Sequence, residues 1–478
     1  MFVNKLSRFE VLDEGAMETL DRGWRRIVSE LGIEFGMEES LEYFRAAGQQ
    51  VDGHVVRFDP DFIVEQVAKA PAEFDLTARN PANSVRMGGN NMVFSAVYGP
   101  PFIREGDVRR DATMDDFRQL AKLVQRFDDI DTPGGVICEP NDTPLDSRHL
   151  DMQLALQTLT DKPYFASVIS GIAARDSIRM AEILFGRQIE ETPVMLGIIN
   201  VNSPLRYDDR MLEALHVMAA AGQAPIITPF LLMGAMSPVS VAATIAQQTA
   251  EAFAGIALAQ LIRPGTPVVL GSFLSSTNMQ SGSPSFGGPE SALSLFCTGQ
   301  IARKYGLPWR AGGGGLTASQ SVDAQAAYEA MNTMLPAFLA GANLVMHSAG
   351  WLESGLVACY EKFIVDLEIL RTLQGEFTAP IITEETLAFD AHLEVGHGGH
   401  FLGCAHTLER FRDCFYRPIL SSTDNYERWA RNGKADAAAR AGDVWRKELD
   451  AYELPAMDDG TRQELEEYVV RRRAELGD

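Results

Sequence analysis

Two short apolar runs end in groups that could do chemistry. Leu307 to Trp309 runs into Arg310 just ahead of Gly312 to Gly315, and Leu344 to Met346 runs into His347, followed by Ser348, Trp351 and Glu353. A guanidinium is a planar fork of donors that matches a carboxylate. Imidazole can give the same anion a second bond, or act as acid or base near neutral pH. A bulky cation or imidazole closing an apolar strand is costly to bury unless something pairs with it. The sequence also supplies aromatic faces: Phe94 and Tyr98 upstream, Trp309 beside Arg310, Trp351 and Tyr360 downstream. Each face attracts a cation by roughly 0.5–2 kcal/mol. Rings plus an anion clamp suit a small zwitterion with a permanent cation at one end and a carboxylate at the other. Glu353 is read as a second catalytic group that tunes His347 or meets the cation.

Two other clusters need weighing. The run Gly312 to Gly315 has neither the phosphate-loop lysine nor a G-x-G-x-x-G spacing, and reads as a mobile lip that closes on substrate or admits a large partner. The segment Gly396 to Thr407 gathers His397, His400, Cys404 and His406. Imidazoles and a thiolate so close together raise zinc as a rival reading. The spacings match no standard zinc pattern, and no acidic base adjoins as in H-E-x-x-H, so no metal is expected.

The elements that must position these groups follow a regular rhythm. Apolar, mostly unalternated runs occur at 134–140, 163–170, 194–202, 224–230, 266–273, 307–312 and 342–350, roughly 30 to 40 residues apart, with helical stretches such as 240–262 between them. Strand, polar tip, helix, strand is the grammar of a TIM-type (β/α)8 barrel, whose site gathers at the carboxyl ends of its strands. Asn91 to Gly99, or a piece near 380–402, is expected to supply the eighth strand. The strand-end candidates are Glu139, Ser170, Asn200, Asn202, Phe230, Ser272, Arg310 and His347. The expected organisation is a mainly helical N-terminal subdomain (1–80), the barrel (81–410) and a charged helical extension (411–478) that packs between subunits.

Composition narrows the partners. The 478 residues carry 65 acidic against 42 basic side chains, a net charge of −23, which repels nucleic acid and modestly favours a cationic small molecule. No apolar stretch is long enough for a membrane span and the start lacks an apolar signal core, so a cytoplasmic protein is expected. Five scattered cysteines, none in a C-x-x-C pair, read as free thiols.

Several segments together resemble the trimethylamine methyltransferase family: TARNPANSVRMGGNN, TPLDSRHLDMQLALQTLTDKPYF, INVNSPLRYDDRMLEAL, the run PIITPFLLMGAMSPVSVAATIAQQTAEAFAGIALAQ, SGSPSFGGPESAL, GANLVMHSAGWLESGLVACYEK and GGHFLGCAHT. The resemblance covers nearly the whole chain. It implies a β/α barrel, a methylated amine as donor, and a separate corrinoid protein that brings the cobalt, with no cofactor bound permanently. Archaeal trimethylamine enzymes of the family carry pyrrolysine, whereas this chain has only standard residues and looks like the branch that includes glycine betaine methyltransferases. A quaternary ammonium leaves as a neutral tertiary amine and needs no proton, which suits a pocket of standard residues. The expected site therefore has Phe94, Tyr98, Trp309 and Trp351 around the trimethylammonium and Arg310 and His347 on the carboxylate. The alternatives are another methylated amine (proline betaine, carnitine, choline or trimethylamine) or a protein that binds betaine without catalysis.

Overall fold

In the computed structural model, which describes residues 1–477, most of the apolar runs become strands of one mixed sheet. Its parallel part follows the order Asn91–Phe94, Leu344–Val345, Trp309–Ala311, Val269–Gly271, Ala224–Met233, Met195–Val201 and Tyr164–Phe165. Helices Gly171–Phe185, Asp209–Ala220, Val241–Ile262, Pro289–Lys304 and Ala324–Ala340 return the chain between successive strands. Their starts are set locally: Ser170, Asp208, Ser240 and Asp323 each accept a backbone N–H of the first helical turn. Val241–Ile262 is apolar all round because it is buried on nearly every side.

Two strand expectations are corrected. Residues 134–140 form no ladder of their own; Pro133 lacks an N–H and Gly134-Gly135 weakens extended pairing. Instead the stretch 132–136 lies between the two end strands and bonds to both. The Ala96 N–H reaches the Thr132 carbonyl at 3.2 Å, Gly99 N–H reaches Val136 at 2.7 Å, and Phe165 N–H reaches Gly134 at 3.1 Å. The region 380–402 contains no strand. Thr383 caps the short helix Glu384–Leu387, followed by Phe389–Val395, while Asn91–Phe94 joins the parallel strands.

Side chains on alternate sides of the strands pack into separate layers. Val93, Phe165, Leu196, Ile198, Ile226, Val269, Leu344 and Met346 face inward and form one cluster, sealed by Phe74, Leu76, Val85 and Met87 of the hairpin Glu73–Gly88. The opposite faces pack against the helices in the main core. The first eighty residues contribute helices Glu14–Arg26, Glu38–Ala46 and Pro60–Val67 with short strands among them.

The C-terminal helices do not stand free for a neighbouring subunit. In Ala437–Asp450, Trp445 stacks on Tyr360 with ring centres 4.7 Å apart. In Asp459–Leu476, the Tyr468 hydroxyl donates to Asp176 at 2.7 Å. Their apolar faces are used on the chain's own body.

Candidate active site

Five strands (Met195–Val201, Ala224–Met233, Phe273–Thr277, Trp309–Ala311 and Trp351–Leu352) and the segments holding Tyr98, Met236 and His347 surround a cavity of about 320 Å³. Its floor is Ile198 and Met346, the top of the inner cluster. Its walls are Tyr98, Asn200, Val201, Thr228, Phe230, Met236, Phe273, Arg310, His347 and Trp351. The volume lies at the small end of the ~300–1,000 Å³ typical of ligand sites.

Strand periodicity dictates who faces in. Arg310 points into the cavity, so its neighbour Trp309 must point out, where its indole N–H donates to the Gly341 carbonyl at 3.2 Å. Val93 faces in, so Phe94 faces the helices and stacks on Phe338 at 5.5 Å. The expected placement of Phe94 and Trp309 around a ligand is therefore corrected. Two residues on from Gly271, the Cα partner of Arg310, Phe273 faces in and takes their part. Its ring lies 4.9 Å from that of Phe230, 5.4 Å from His347 and 6.0 Å from Trp351, with the Arg310 guanidinium 4.9 Å from its centre.

The remaining candidates disperse. Glu353 is held by Arg109 at 3.0 Å and does not line the cavity, so its expected partnership with His347 is not formed. Tyr360 donates to Asp116 at 3.0 Å. Ser170 is a helix cap, Asn202 exchanges hydrogen bonds with Asp208, and Glu139 accepts from Arg148 at 3.1 Å. Ser272 contributes its carbonyl, which accepts from Arg310 at 3.0 Å. Among the described residues no group of three or more His, Cys, Asp or Glu side chains could hold a metal ion, and the His397–His406 cluster is no exception.

Arg310 and His347 are each buried, with 2% and 4% exposure. Among the described residues Arg310 has no carboxylate partner, and its Nε has no hydrogen-bond partner. Burial without a counter-charge pulls the guanidinium below its ordinary pKa. The same burial, and Arg310 itself, hold His347 well below the usual imidazole value, so it is neutral. Its Nδ1 accepts the backbone N–H of Tyr98 at 3.2 Å, which leaves the ring proton on Nε2. That proton faces Arg310 Nη2 at 3.1 Å. The two groups touch directly, and no carboxylate in the cavity lining pairs with either.

The loops that carry this pair are clamped rather than loose, which corrects the mobile-lip expectation for Gly312 to Gly315. All four glycines are buried. A Cβ on Gly312 would sit 2.5 Å from Phe273, and one on Gly315 would sit 2.5 Å from Asp366. The Gly315 N–H donates to the His347 carbonyl at 2.7 Å, and Lys362 donates to the Gly315 carbonyl at 3.0 Å. Lys362 is ion-paired to Asp366, which accepts the Gly350 N–H at 2.9 Å; both side chains are fully buried. His347 itself is held at φ 61°, an uncommon backbone state for a non-glycine residue that persists only where its surroundings enforce it.

Comparison with known proteins follows the same outline. Residues 1–477 match the family described as trimethylamine methyltransferase (MTTB). The chain belongs to the trimethylamine methyltransferase family. It is a methyltransferase. It is 42% identical to the glycine betaine methyltransferase of Desulfitobacterium hafniense (strain Y51) over 476 residues, covering 99% of each chain. To the proline betaine:corrinoid methyltransferase of Eubacterium limosum it is 28% identical, over 98% of this chain and 99% of that one. The monomethylamine methyltransferase of Methanosarcina barkeri shares the fold at a TM-score of 0.53 and 10% identity, covering 94% of this chain and 90% of that one. Within this family the described residues include no helix long and apolar enough to cross a membrane.

Proposed function

We propose that this family member demethylates glycine betaine, giving dimethylglycine, and passes the methyl group to the corrinoid of a separate protein. The observation that carries this reading is the buried Arg310–His347 pair, in contact at 3.1 Å on a cavity wall whose lining holds no Asp or Glu. Arg310 Nε has no partner and the cavity lining supplies no carboxylate, so a ligand carboxylate bound there would gain donors from the Arg310–His347 pair. The rings of Tyr98, Phe230, Phe273 and Trp351 then face the trimethylammonium. The 42% identity to a glycine betaine methyltransferase supports the same donor.

The partner's reduced corrinoid supplies the nucleophile. The C–N bond breaks, its electron pair stays on nitrogen, and no proton is needed. The chain's residues anchor the carboxylate, aim one methyl group towards the opening and keep water out. Positive charge on nitrogen fades towards the transition state, so a full counter-charge would favour the reactant, while rings hold it less tightly. No acidic residue lines the cavity.

The same reading closes the strands into an eightfold barrel, with 131–136 completing the ring between Asn91–Phe94 and Tyr164–Phe165. It keeps the division at residues 80 and 410, places the protein in the cytoplasm and has it self-associate. The test is an anaerobic donor screen with reduced cobalamin, following loss of the Co(I) absorbance. Glycine betaine should react faster than proline betaine, carnitine, choline or trimethylamine. Binding of betaine with no transfer to any corrinoid would leave only a binding protein.

A further inference from the structure

The most conspicuous unused surface is the segment 379–416. Ile381, Ile382, Phe389, Leu393, Leu402 and Phe415 are 67–85% exposed, and Leu387, Leu408 and Phe411 are more than half exposed. At ~150 Å² per large side chain this leaves on the order of 1,000 Å² of apolar surface in water. An ordinary monomer's largest patch is ~300–600 Å², and one side of a specific interface is ~800 Å². The segment has little else to hold it. Its helices Glu384–Leu387, Phe389–Val395 and Ala405–Arg410 are far shorter than those that survive alone. Among the described residues, every hydrogen bond made by 379–415 stays within 379–417. None of its apolar side chains joins the main core.

We infer that this arm lies against a second copy of the chain. The position of its root argues against the methyl-accepting protein as occupant. Helix Tyr360–Glu376 begins beside the pocket loops and ends with Phe377 packed on Phe338, at the end of the sheet where strands begin. The chain rejoins the body midway along that helix, where Ile419 and Leu420 donate to Glu368. The arm thus leaves from the face away from the cavity mouth, which a methyl acceptor must reach. Its own carboxylates (Glu384, Glu385, Asp390, Glu394, Glu409) disfavour an anionic membrane.

The body offers the complementary strip. Leu6, Phe9, Val11 and Leu293 are 38–51% exposed, and Phe9 meets Phe296 edge-on at 5.1 Å. The strip adjoins the root, because the Lys5 N–H donates to the Phe377 carbonyl. A two-fold axis lets the arm of each copy cover the strip of the other, so the contact closes and builds even-numbered assemblies.

Sedimentation velocity of the full chain tests this. The expected mass is twice 52.4 kDa, or an even multiple of that pair. A monomer at micromolar concentration, or an odd-numbered ring, would overturn the inference. Leu402→Glu combined with Phe415→Ser should halve the mass, and Phe9→Glu should do the same from the other side; an unchanged assembly in either refutes the arm exchange. If these variants do not fold, hydrogen exchange on the wild-type chain decides. Amides in 381–411 should be protected in the assembly and exposed on dilution, and equal exchange in both overturns the assignment. The donor screen is read independently, so failure here leaves the methyl-transfer proposal standing.

Discussion

Gly312 to Gly315 and the glycine-rich stretch Gly396 to Gly403 look alike as sequence, yet they sit in opposite circumstances. In the first, every position is pressed: a Cβ would strike Phe273, the Thr333 carbonyl, the Met346–His347 backbone or Asp366. In the second, Gly396, Gly398 and Gly403 have nothing within 4 Å, and only Gly399 is pressed, by the Val395 carbonyl at 2.6 Å. Glycine serves close approach throughout the first and mostly latitude in the second. A glycine run is interpretable only by what a methyl group would meet there.

That contrast can be broken or sharpened by measurement, beginning with the most sensitive part of the pressed region. Arg310→Met leaves the carboxylate without its main partner, a loss of about 3 kcal/mol. The KM for betaine should rise on the order of 100-fold, while that for choline, which has no carboxylate, should change little; parallel shifts would remove the clamp. Next, Gly315→Ala forces a methyl against the buried Lys362–Asp366 pair and should cost about 2 kcal/mol, a lower Tm and a reduced kcat. Phe273→Leu keeps bulk but removes the ring, and calorimetry should show betaine binding weakened by roughly 3- to 30-fold.

A smaller effect comes from acid. Folded His347 refuses a proton that the unfolded imidazole takes up near its usual pKa of about 6.5. Its contribution to stability is therefore present above that value and lost as pH falls below it. His347→Gln should flatten that part of the Tm–pH curve, and betaine affinity of the wild-type chain should stay level from neutral to mildly alkaline pH. Smallest of all, Gly403→Ala meets nothing within its own chain and should alter the stability of the dissociated monomer by no more than ~0.5 kcal/mol. A larger loss confined to the assembled chain would mean that the second copy presses on this stretch.

Much of this was legible in the residues. The spacing of apolar runs gave most of the parallel strands, and Arg310 and His347 stood out because a strand end rarely carries such groups. Tyr98, Trp351, Asn200 and Phe230 also reach the cavity as expected. Phe94 and Trp309 miss the cavity because the two-residue alternation of a strand turns neighbours to opposite faces, which proximity in sequence alone does not reveal. The same alternation, counted from Gly271 or Ile226, would have found Phe273 and Thr228. The clamp by Lys362 and Asp366 was beyond reach, since it joins a helix to two loops only after the chain has folded.

The absence of any carboxylate from the cavity lining has a consequence for turnover. Once a methyl group departs, the nitrogen holds a bare lone pair in a place with no carboxyl group beside it, and the rings lose the cation they attracted. Dimethylglycine would regain a proton only on meeting bulk water. Discharge of the spent donor thus follows from the demethylation itself, and the emptied cup is ready for the next molecule.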